Sequence, residues 1–550
     1  MNSGPVADPV DTDVLVVGAG PVGSTIALDL AQRGVDVVLA EAAPEPRKLP
    51  KMERCNARTM EIFRRLGVAD TLREASAFTP YPMDVFVVAD TRHDALLHLK
   101  YPSVPEAKEL ARQSRDGSLP FEPQQLVSQY TVEPILRGAA IDAGADLRAG
   151  AELISFEQDD DGVTSQLRLH TGDTLVVRSR WLVGADGGRS TVRKQLGIAH
   201  QGDGRIRPVR QVFFRSTTLF ENMPFGPGRH YYFTSGALVV QDDLKHFVVN
   251  FLDWKDGDVA VDRLKDLLGD VLDEVEVLHE GDWYHHLLVA DSYRDRRAFI
   301  AGDAAHLVIP QGGLGMNTGI GDAVDLSWKL AGAVKGYAGE HLLDSYELER
   351  REIGLFNREA SRAAAQGVGR WRSAATEEFK KDTPAGEENR RRVAELAAEG
   401  QPIGHELAGT ETSYRYSQSP VILTEPGSPE NQIRRYTPGA YPGVRLPHMW
   451  LDDGRPIQDA LGQDFTLLDL GAAATDTAPL ERAFAAVGAP IEILRVPDAR
   501  LREAYGRSLL LVRPDLHVVW RGDVLPDDAD RIAGVATGRV DAREQTLAAV

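Results

Sequence analysis

Val14-Leu15-Val16-Val17-Gly18-Ala19-Gly20-Pro21-Val22-Gly23 is the stretch that decides the fold. Four aliphatic residues in a row predict a strand buried on both faces, and the glycines that follow end it at once. Beyond Gly23 the apolar positions Ile26, Leu28, Leu30 and Ala31 predict a helix, with Gly34 placed for a left-handed C-cap. A second strand over Val35 to Ala40 ends at the acid Glu41. This is a βαβ unit, and each glycine has its own steric duty in it. Gly18 makes the tight turn, Gly20 lets the backbone approach a pyrophosphate, and Gly23 lets the helix lie close to the strand. The phosphates would rest on the helix N-terminus, where unpaired N–H groups and the helix dipole favour anions. Glu41 is placed to accept hydrogen bonds from a ribose diol. A glycine pattern of this kind arises by chance, but strand, helix, second strand and terminal acid together point to binding of an adenine dinucleotide.

Outward from that unit, the chain has 550 residues, with 62 Lys plus Arg against 82 Asp plus Glu and a formal charge of −20. No basic stretch offers the clustered cations that phosphate neutralisation requires, which argues against a nucleic-acid binder and against docking on an anionic membrane surface. Apolar residues at 43% describe a globular protein with a large core, and the length suggests three or four domains' worth of chain. Residues 1–13 lack a basic n-region and an apolar h-region, and no run nears the ~18 apolar residues of a membrane span. The expectation is a cytoplasmic protein with a short frayed leader. Cys55 is the sole cysteine, which excludes an intramolecular disulfide, CxxC chemistry and multi-cysteine metal sites.

Further along, residues 146–157, 163–170 and 174–179 alternate between Asp/Gly turns, predicting antiparallel strands that lead into Trp181-Leu182-Val183-Gly184-Ala185-Asp186-Gly187. Residues 205–290 are rich in β-branched and aromatic side chains, a composition that suits a sheet with an apolar pocket and equally an ordinary core. Phe299-Ile300-Ala301-Gly302-Asp303-Ala304-Ala305-His306 returns to a Rossmann-like turn. Pro310-Gln311-Gly312-Gly313-Leu314-Gly315-Met316-Asn317 and a helix over 320–336 follow, then a charged helix over 340–370. Residues 374–435 are polar and punctuated by Gly and Pro, as in a helix plus wrapping linker. Strand-like 465–470, helix-like 480–487, strand-like 491–496 and a hairpin pattern over 509–513 and 517–520 describe a small α/β domain.

Three of these motifs, in this order, resemble the single-component FAD-dependent aromatic hydroxylases, flavoprotein monooxygenases with the p-hydroxybenzoate hydroxylase fold. They are Gly18/Gly20/Gly23 with Glu41, then Gly184-Ala185-Asp186-Gly187 with Ser190 and Arg193, then Gly302 to His306 followed by Pro310 and Gly312 to Asn317. Residues 50–61, and Leu511-Val512-Arg513-Pro514-Asp515 with Trp520-Arg521, look like the phenol and chlorophenol hydroxylase branch, an architecture shared with polyketide-tailoring hydroxylases. The resemblance implies an α/β (α+β) fold. A Rossmann-like FAD-binding domain occupies 1–200 and resumes at 291–370, an antiparallel substrate-binding sheet is inserted at 201–290, a helix and linker fill 371–435, and a thioredoxin-like domain closes at 436–550. With one cysteine, that last domain cannot do dithiol chemistry and is left a structural or homodimer-contact role.

The implied activity is monooxygenation of a phenolic or polyketide-type aromatic substrate. NAD(P)H, a transient co-substrate, reduces FAD, and O2 then gives a flavin C4a-hydroperoxide whose distal oxygen passes to the ring. Baeyer–Villiger insertion or epoxidation on the same fold is the alternative, as is a flavin oxidoreductase that transfers no oxygen. By resemblance Asp303 binds the ribityl or pyrophosphate portion of FAD, Gln129 contacts the cofactor, and Lys51 or Arg54 supplies a cation near the diphosphate. Asp186 serves FAD or the pyridine nucleotide, or is a turn residue. Gly313, Leu314, Gly315, Met316 and Asn317 would pass close to the isoalloxazine edge, with the N–H groups of Met316 and Asn317 stabilising the negative charge of reduced flavin. Pro310 would line the site with its carbonyl near the substrate.

A phenol is activated by losing its proton, which calls for a base. Glu53 aligns with an active-site acid of phenol hydroxylases, and Tyr231, Tyr232, His285 and His286 lie in the predicted substrate sheet. Pro310, Glu53 and Tyr232 are the candidate catalytic residues. Adjacent His285 and His286 point to opposite faces of a strand and cannot chelate one metal, so no metal site is expected. His306 is taken as structural. Asp325 stands where the family more often has Asn.

Overall fold

The computed structural model describes residues 9–46 and 48–545. The leader expected over residues 1–13 lies partly outside them, and its residues 10–13 are already strand. Val10–Val17 is a central strand of an eight-stranded sheet. Thr174–Gly184 and Val37–Glu41 flank it, both parallel to it. The helix Pro21–Gln32 makes the crossover that parallel pairing requires. Ala298–Ile300 and Asp146–Ala149 extend the parallel set on either side. The antiparallel run expected from residue 146 therefore starts later, with Ala151–Gln158, Val163–Leu169 and Thr174–Gly184. Asp146–Ala149 arrives through its own helix, Gln129–Asp142, and a helical crossover enforces parallel pairing. The glycine turn opens at the carboxyl ends of these strands, where such sheets bind ligands.

A second eight-stranded sheet runs in the order His306–Leu307, Glu276–Ala290, His200–Arg215, His246–Phe251, Gly236–Val240, His230–Tyr232, Val85–Val87, Leu97–Leu99. Its last two strands come from within residues 1–200. Period-two alternation sets its faces. Tyr231 packs with Phe86, Phe214 and Phe247 into a core closed by Ala260–Leu268, whereas Tyr232, Val85 and Val87 turn toward Val368 and Trp371 of the helix Glu340–Ser373.

The helix expected from residue 320 begins at Leu314, so Gly315, Met316 and Asn317 form its first turn rather than the loop before it. Close packing explains the masked periodicity. A Cβ at Gly319 would lie 2.6 Å from Val22 Cγ2, and one at Gly321 would lie 2.7 Å from Arg350 Nη2.

Near the C-terminus, Ile491–Arg495 and Phe465–Asp469 pair in parallel, and Leu509–Val512 and Val518–Gly522 complete the sheet antiparallel, a thioredoxin-like arrangement. It docks through buried ions. Arg513 binds Glu349 at 2.7 Å and Asp325 at 3.0 Å, and Lys329 binds the same two carboxylates at 2.6 and 2.8 Å. Burial raises the Cys55 thiol to about 12, so it stays a thiol. Among the described residues no helix is long and apolar enough to cross a membrane.

Candidate functional site

Gly18 adopts φ +100°, and a Cβ there would meet Ala185 O at 2.4 Å; at Gly23 a Cβ would meet Gly18 O at 1.8 Å. Around Gly20 there is open space. Two glycines thus close the turn on itself and the third leaves one face free. The helix Pro21–Gln32 starts there with no side-chain cap and no acid in its first turn, so its positive end is unneutralised. Glu41 reaches back beneath the turn: Oε2 accepts the Ala19 N–H at 2.8 Å and Oε1 accepts the Ala43 N–H at 2.9 Å. Arg137 supports the same turn, donating Nε–H to Ala19 O at 2.7 Å. This residue was missed in the sequence, because one cation on a helix carries no motif signal.

A Cβ on Gly302 would lie 2.9 Å from Val22 Cγ2, which brings the second Rossmann-like turn against the first, with Asp303 exposed beside it. The helix Leu314–Lys335 also begins without a side-chain cap or a first-turn acid. Two uncapped helix N-termini, drawn together by glycine contacts and flanked by an exposed carboxylate, fit FAD. Its pyrophosphate would lie over Gly20 and the start of the first helix, its ribityl chain near Asp303, and its ring against Gly313 to Asn317. His306 is structural: Nε2 meets Asp322 Oδ2 at 2.7 Å, and Asp322 also accepts from Gly302 N–H and Arg350.

Several other candidate residues are engaged differently from their sequence assignment. Arg54 donates to Gly312 O at 2.7 Å, Glu411 at 2.6 Å and Gln124 at 2.7 Å, so it braces the glycine loop instead of reaching a diphosphate. Its strand, Arg54–Cys55, pairs with Gln125–Leu126 and carries it to that side. Lys51 is exposed. The Gln129 amide donates to Glu133 at 2.6 Å. Asp186 Oδ2 accepts from Thr191 N–H at 2.6 Å and Val192 N–H at 3.2 Å, capping a short helix, while its Oδ1 has no partner among the described residues. The Pro310 carbonyl accepts the Gly313 N–H at 2.8 Å, closing a turn, so it is occupied by the loop rather than offered to a substrate. The Asn317 side chain ties the helix start to Asn56 N–H and to the Arg54 and Gly313 carbonyls.

Glu53 and Tyr232, far apart in sequence, meet through a residue between them. His230 Nε2 lies 2.9 Å from Glu53 Oε1, and His230 Nδ1 lies 3.5 Å from the Tyr232 hydroxyl. Burial alone would raise the Glu53 carboxyl, but the His230 hydrogen bond and the charges of Arg229 and Arg54 outweigh it and bring it down to about 2. Burial, aided by Arg229 and Arg54, holds His230 below the ordinary imidazole value. The pair rests as carboxylate and neutral imidazole, with Nε2–H donated to Glu53 and Nδ1 left to accept from Tyr232. Burial pushes the Tyr232 phenol up. His405 packs against this line, its ring 6.0 Å from His230, 5.8 Å from Tyr232 and 6.3 Å from Tyr101. The cluster borders the glycine loop, since a Cβ on Gly312 would meet Leu407, two residues from His405, at 2.7 Å.

The remaining candidates lie elsewhere. Tyr231 faces the core and donates its hydroxyl to Gly226 O at 2.6 Å. Burial takes His285 down to about 4, and His286 Nδ1 accepts from Arg205 N–H at 3.2 Å. Alternation could have found His230, which shares a strand face with Tyr232; His405, in a Gly/Pro-punctuated linker, carried no such signal.

The FAD binding domain family matches residues 11–355, and the C-terminal domain family of aromatic-ring hydroxylases matches residues 439–540. The FAD-dependent monooxygenase apdD of Emericella nidulans is 33% identical over 96% of this chain and 90% of its own. Among solved structures, the rebeccamycin biosynthetic enzyme RebC with reduced flavin superposes with a TM-score of 0.88 at 32% identity, over 97% of this chain and 100% of that one. A ternary complex of aklavinone-11 hydroxylase with FAD and aklavinone superposes with a TM-score of 0.80 at 29% identity, over 96% and 99%.

Proposed function

The chain belongs to the FAD-dependent aromatic-ring hydroxylases, and from that premise we propose that it hydroxylates a ring already bearing an acidic hydroxyl, whose proton leaves through Tyr232 to His230 with Glu53 behind it. FAD, when bound, supplies the activated oxygen: one atom of O2 enters the ring, the other leaves as water, and NAD(P)H provides two electrons. The protein's own part is to hold the substrate hydroxyl and accept its proton. The Glu53–His230–Tyr232 line carries this proposal. Tyr232 passes its proton to His230 Nδ1 and takes one from the substrate. The imidazolium so formed lies against the Glu53 carboxylate, which fixes its tautomer and stabilises its charge. A line that removes a proton from a hydroxyl favours ring hydroxylation over Baeyer–Villiger insertion, whose ketone substrate offers no such proton.

The test is Glu53→Gln in the FAD-loaded enzyme. Glu53 raises the His230 pKa, and activity needs neutral His230, so the wild-type rate should fall as pH drops through that pKa. Removing the carboxylate makes His230 a weaker base. Substrate-dependent NAD(P)H oxidation, with a product heavier by one oxygen atom, should then lose about 10- to 100-fold in rate, and its acid limb should move to lower pH. An unchanged rate and an unmoved limb would sink the assignment.

A further inference from the structure

Packed against Tyr232 is a hydrogen-bond chain that cannot be satisfied as it stands. Trp371 Nε1 lies 3.0 Å from Gln401 Oε1, Gln401 Nε2 lies 3.0 Å from His405 Nε2, and Arg229 Nη2 lies 2.8 Å from His405 Nδ1. Both ends of this chain, an indole N–H and a guanidinium, can only donate. Trp371 donates to the Gln401 oxygen, so the Gln401 amide donates onward and His405 Nε2 must accept. A neutral imidazole then carries its proton on Nδ1, where it confronts the Arg229 N–H. Flipping Gln401 only moves the clash to Trp371, and a second proton on His405 makes it worse; burial and Arg229 hold that ring well below the ordinary imidazole range. One link must therefore join two donors, whichever tautomer is drawn.

Arg229 is the end that no acceptor holds among the described residues. It is 2% exposed, its Nε has no hydrogen-bond partner and it forms no ion pair among the described residues. A buried donor without an acceptor is costly, and two that face each other call for one acceptor between them. Resting on the functional reading above, we propose that Arg229 and His405 form a subsite for an acceptor-only oxygen of the substrate, a ketone carbonyl or its enolate. Arg229 turns from His405 to this oxygen and His405 Nδ1–H donates to it, which leaves Trp371, Gln401 and His405 fully satisfied. The substrate thus presents two oxygens: a hydroxyl toward Tyr232 and a carbonyl-type oxygen toward Arg229.

The test uses three bicyclic probes of similar size, 1-tetralone, 1-naphthol and naphthalene, titrated into oxidised FAD-loaded protein without NAD(P)H, with binding read from the flavin absorbance. The wild type should bind 1-tetralone about tenfold or more tightly than naphthalene. Arg229→Met and His405→Phe should each abolish that margin while leaving naphthalene affinity unchanged, and 1-naphthol should lose less than 1-tetralone. Tyr232→Phe should keep the margin but slow turnover, so failure of the proton path and failure of the subsite read differently. Wild-type protein that binds 1-tetralone no tighter than naphthalene overturns the proposal, and this comparison decides even if a variant fails to fold. Equal losses for all three probes in both variants overturn it as well.

Discussion

Gly23→Ala is expected to yield a colourless protein. The added Cβ would lie 1.8 Å from the Gly18 carbonyl oxygen, far inside any real contact, and the obstacle is backbone that cannot rotate away. The helix Pro21–Gln32 must shift off the strand Val10–Val17, and its start would then leave the place where it is expected to meet the phosphates. Bound flavin per protein, from the ratio of visible to ultraviolet absorbance, should fall at least about tenfold, the equivalent of about 1.4 kcal/mol. Substrate-dependent NAD(P)H oxidation should fall in proportion. Gly20→Ala separates cofactor contact from folding, because a Cβ there meets only open space. That apoprotein should melt at the wild-type temperature yet bind FAD more weakly; wild-type FAD affinity in Gly20→Ala would place the pyrophosphate elsewhere. Gly23→Ala should lower the melting temperature of the apoprotein too, since its clash is internal.

Local patterns made the dinucleotide cradle legible in the sequence. Gly18 and Gly23 meet inside one βαβ unit, so their spacing alone signals the turn; the Glu41 carboxylate, expected at a ribose, instead accepts the Ala19 and Ala43 N–H groups of that turn. Asp303 was singled out by the family resemblance, and it is exposed beside Gly302. The Glu53–His230–Tyr232–His405 cluster was not legible to that extent, because its members come together only through tertiary packing. Glu53 follows a glycine-poor loop, His230 and Tyr232 sit on a three-residue strand, and His405 lies in a linker. No spacing rule joins residues 53, 230 and 405. Arg54 shows the reverse error: as a cation near the first βαβ unit it suits a diphosphate, yet the short ladder with Gln125–Leu126 turns it toward Gly312 and Glu411. The helix from Leu314 was placed late because Gly315, Gly319 and Gly321 dilute its apolar period, although those glycines are what let it approach Val22 and Arg350.

Arg513→Met should destabilise the protein by about 3–5 kcal/mol at neutral pH, because it leaves buried carboxylates without their cation. Arg513 touches Glu349 at 2.7 Å, Asp515 at 2.6 Å and Asp325 at 3.0 Å, all essentially inaccessible to water; burial raises the Asp325 carboxyl well above the usual range against the pull of Lys329 and Arg513, so the charge Arg513 answers lies on Glu349 and Asp515. Lys329 still neutralises part of the Glu349–Asp325 pair, but among the described residues Asp515 keeps only His517 as an ionic partner, at 3.0 Å. Burial drives the Asp515 carboxyl up while Arg513 and His517 pull it well below the usual carboxylate range; Glu349 is likewise lowered, by Arg513 and Lys329 against its burial. A carboxyl whose folded value is depressed contributes stability above its unfolded value, about 4, and loses it as pH falls toward the folded one. In the variant the depressing cation is gone, burial dominates, and these groups take up protons at higher pH than before. The stability gap between wild type and variant should therefore be widest near pH 8 and narrow toward pH 5. Urea unfolding followed by tryptophan fluorescence reports it, since Trp328 lies 5.2 Å from the Arg513 guanidinium. A gap that stays constant across that range would assign the loss to packing against Trp328, and the charge cluster would not be what holds the C-terminal sheet to the FAD-binding domain.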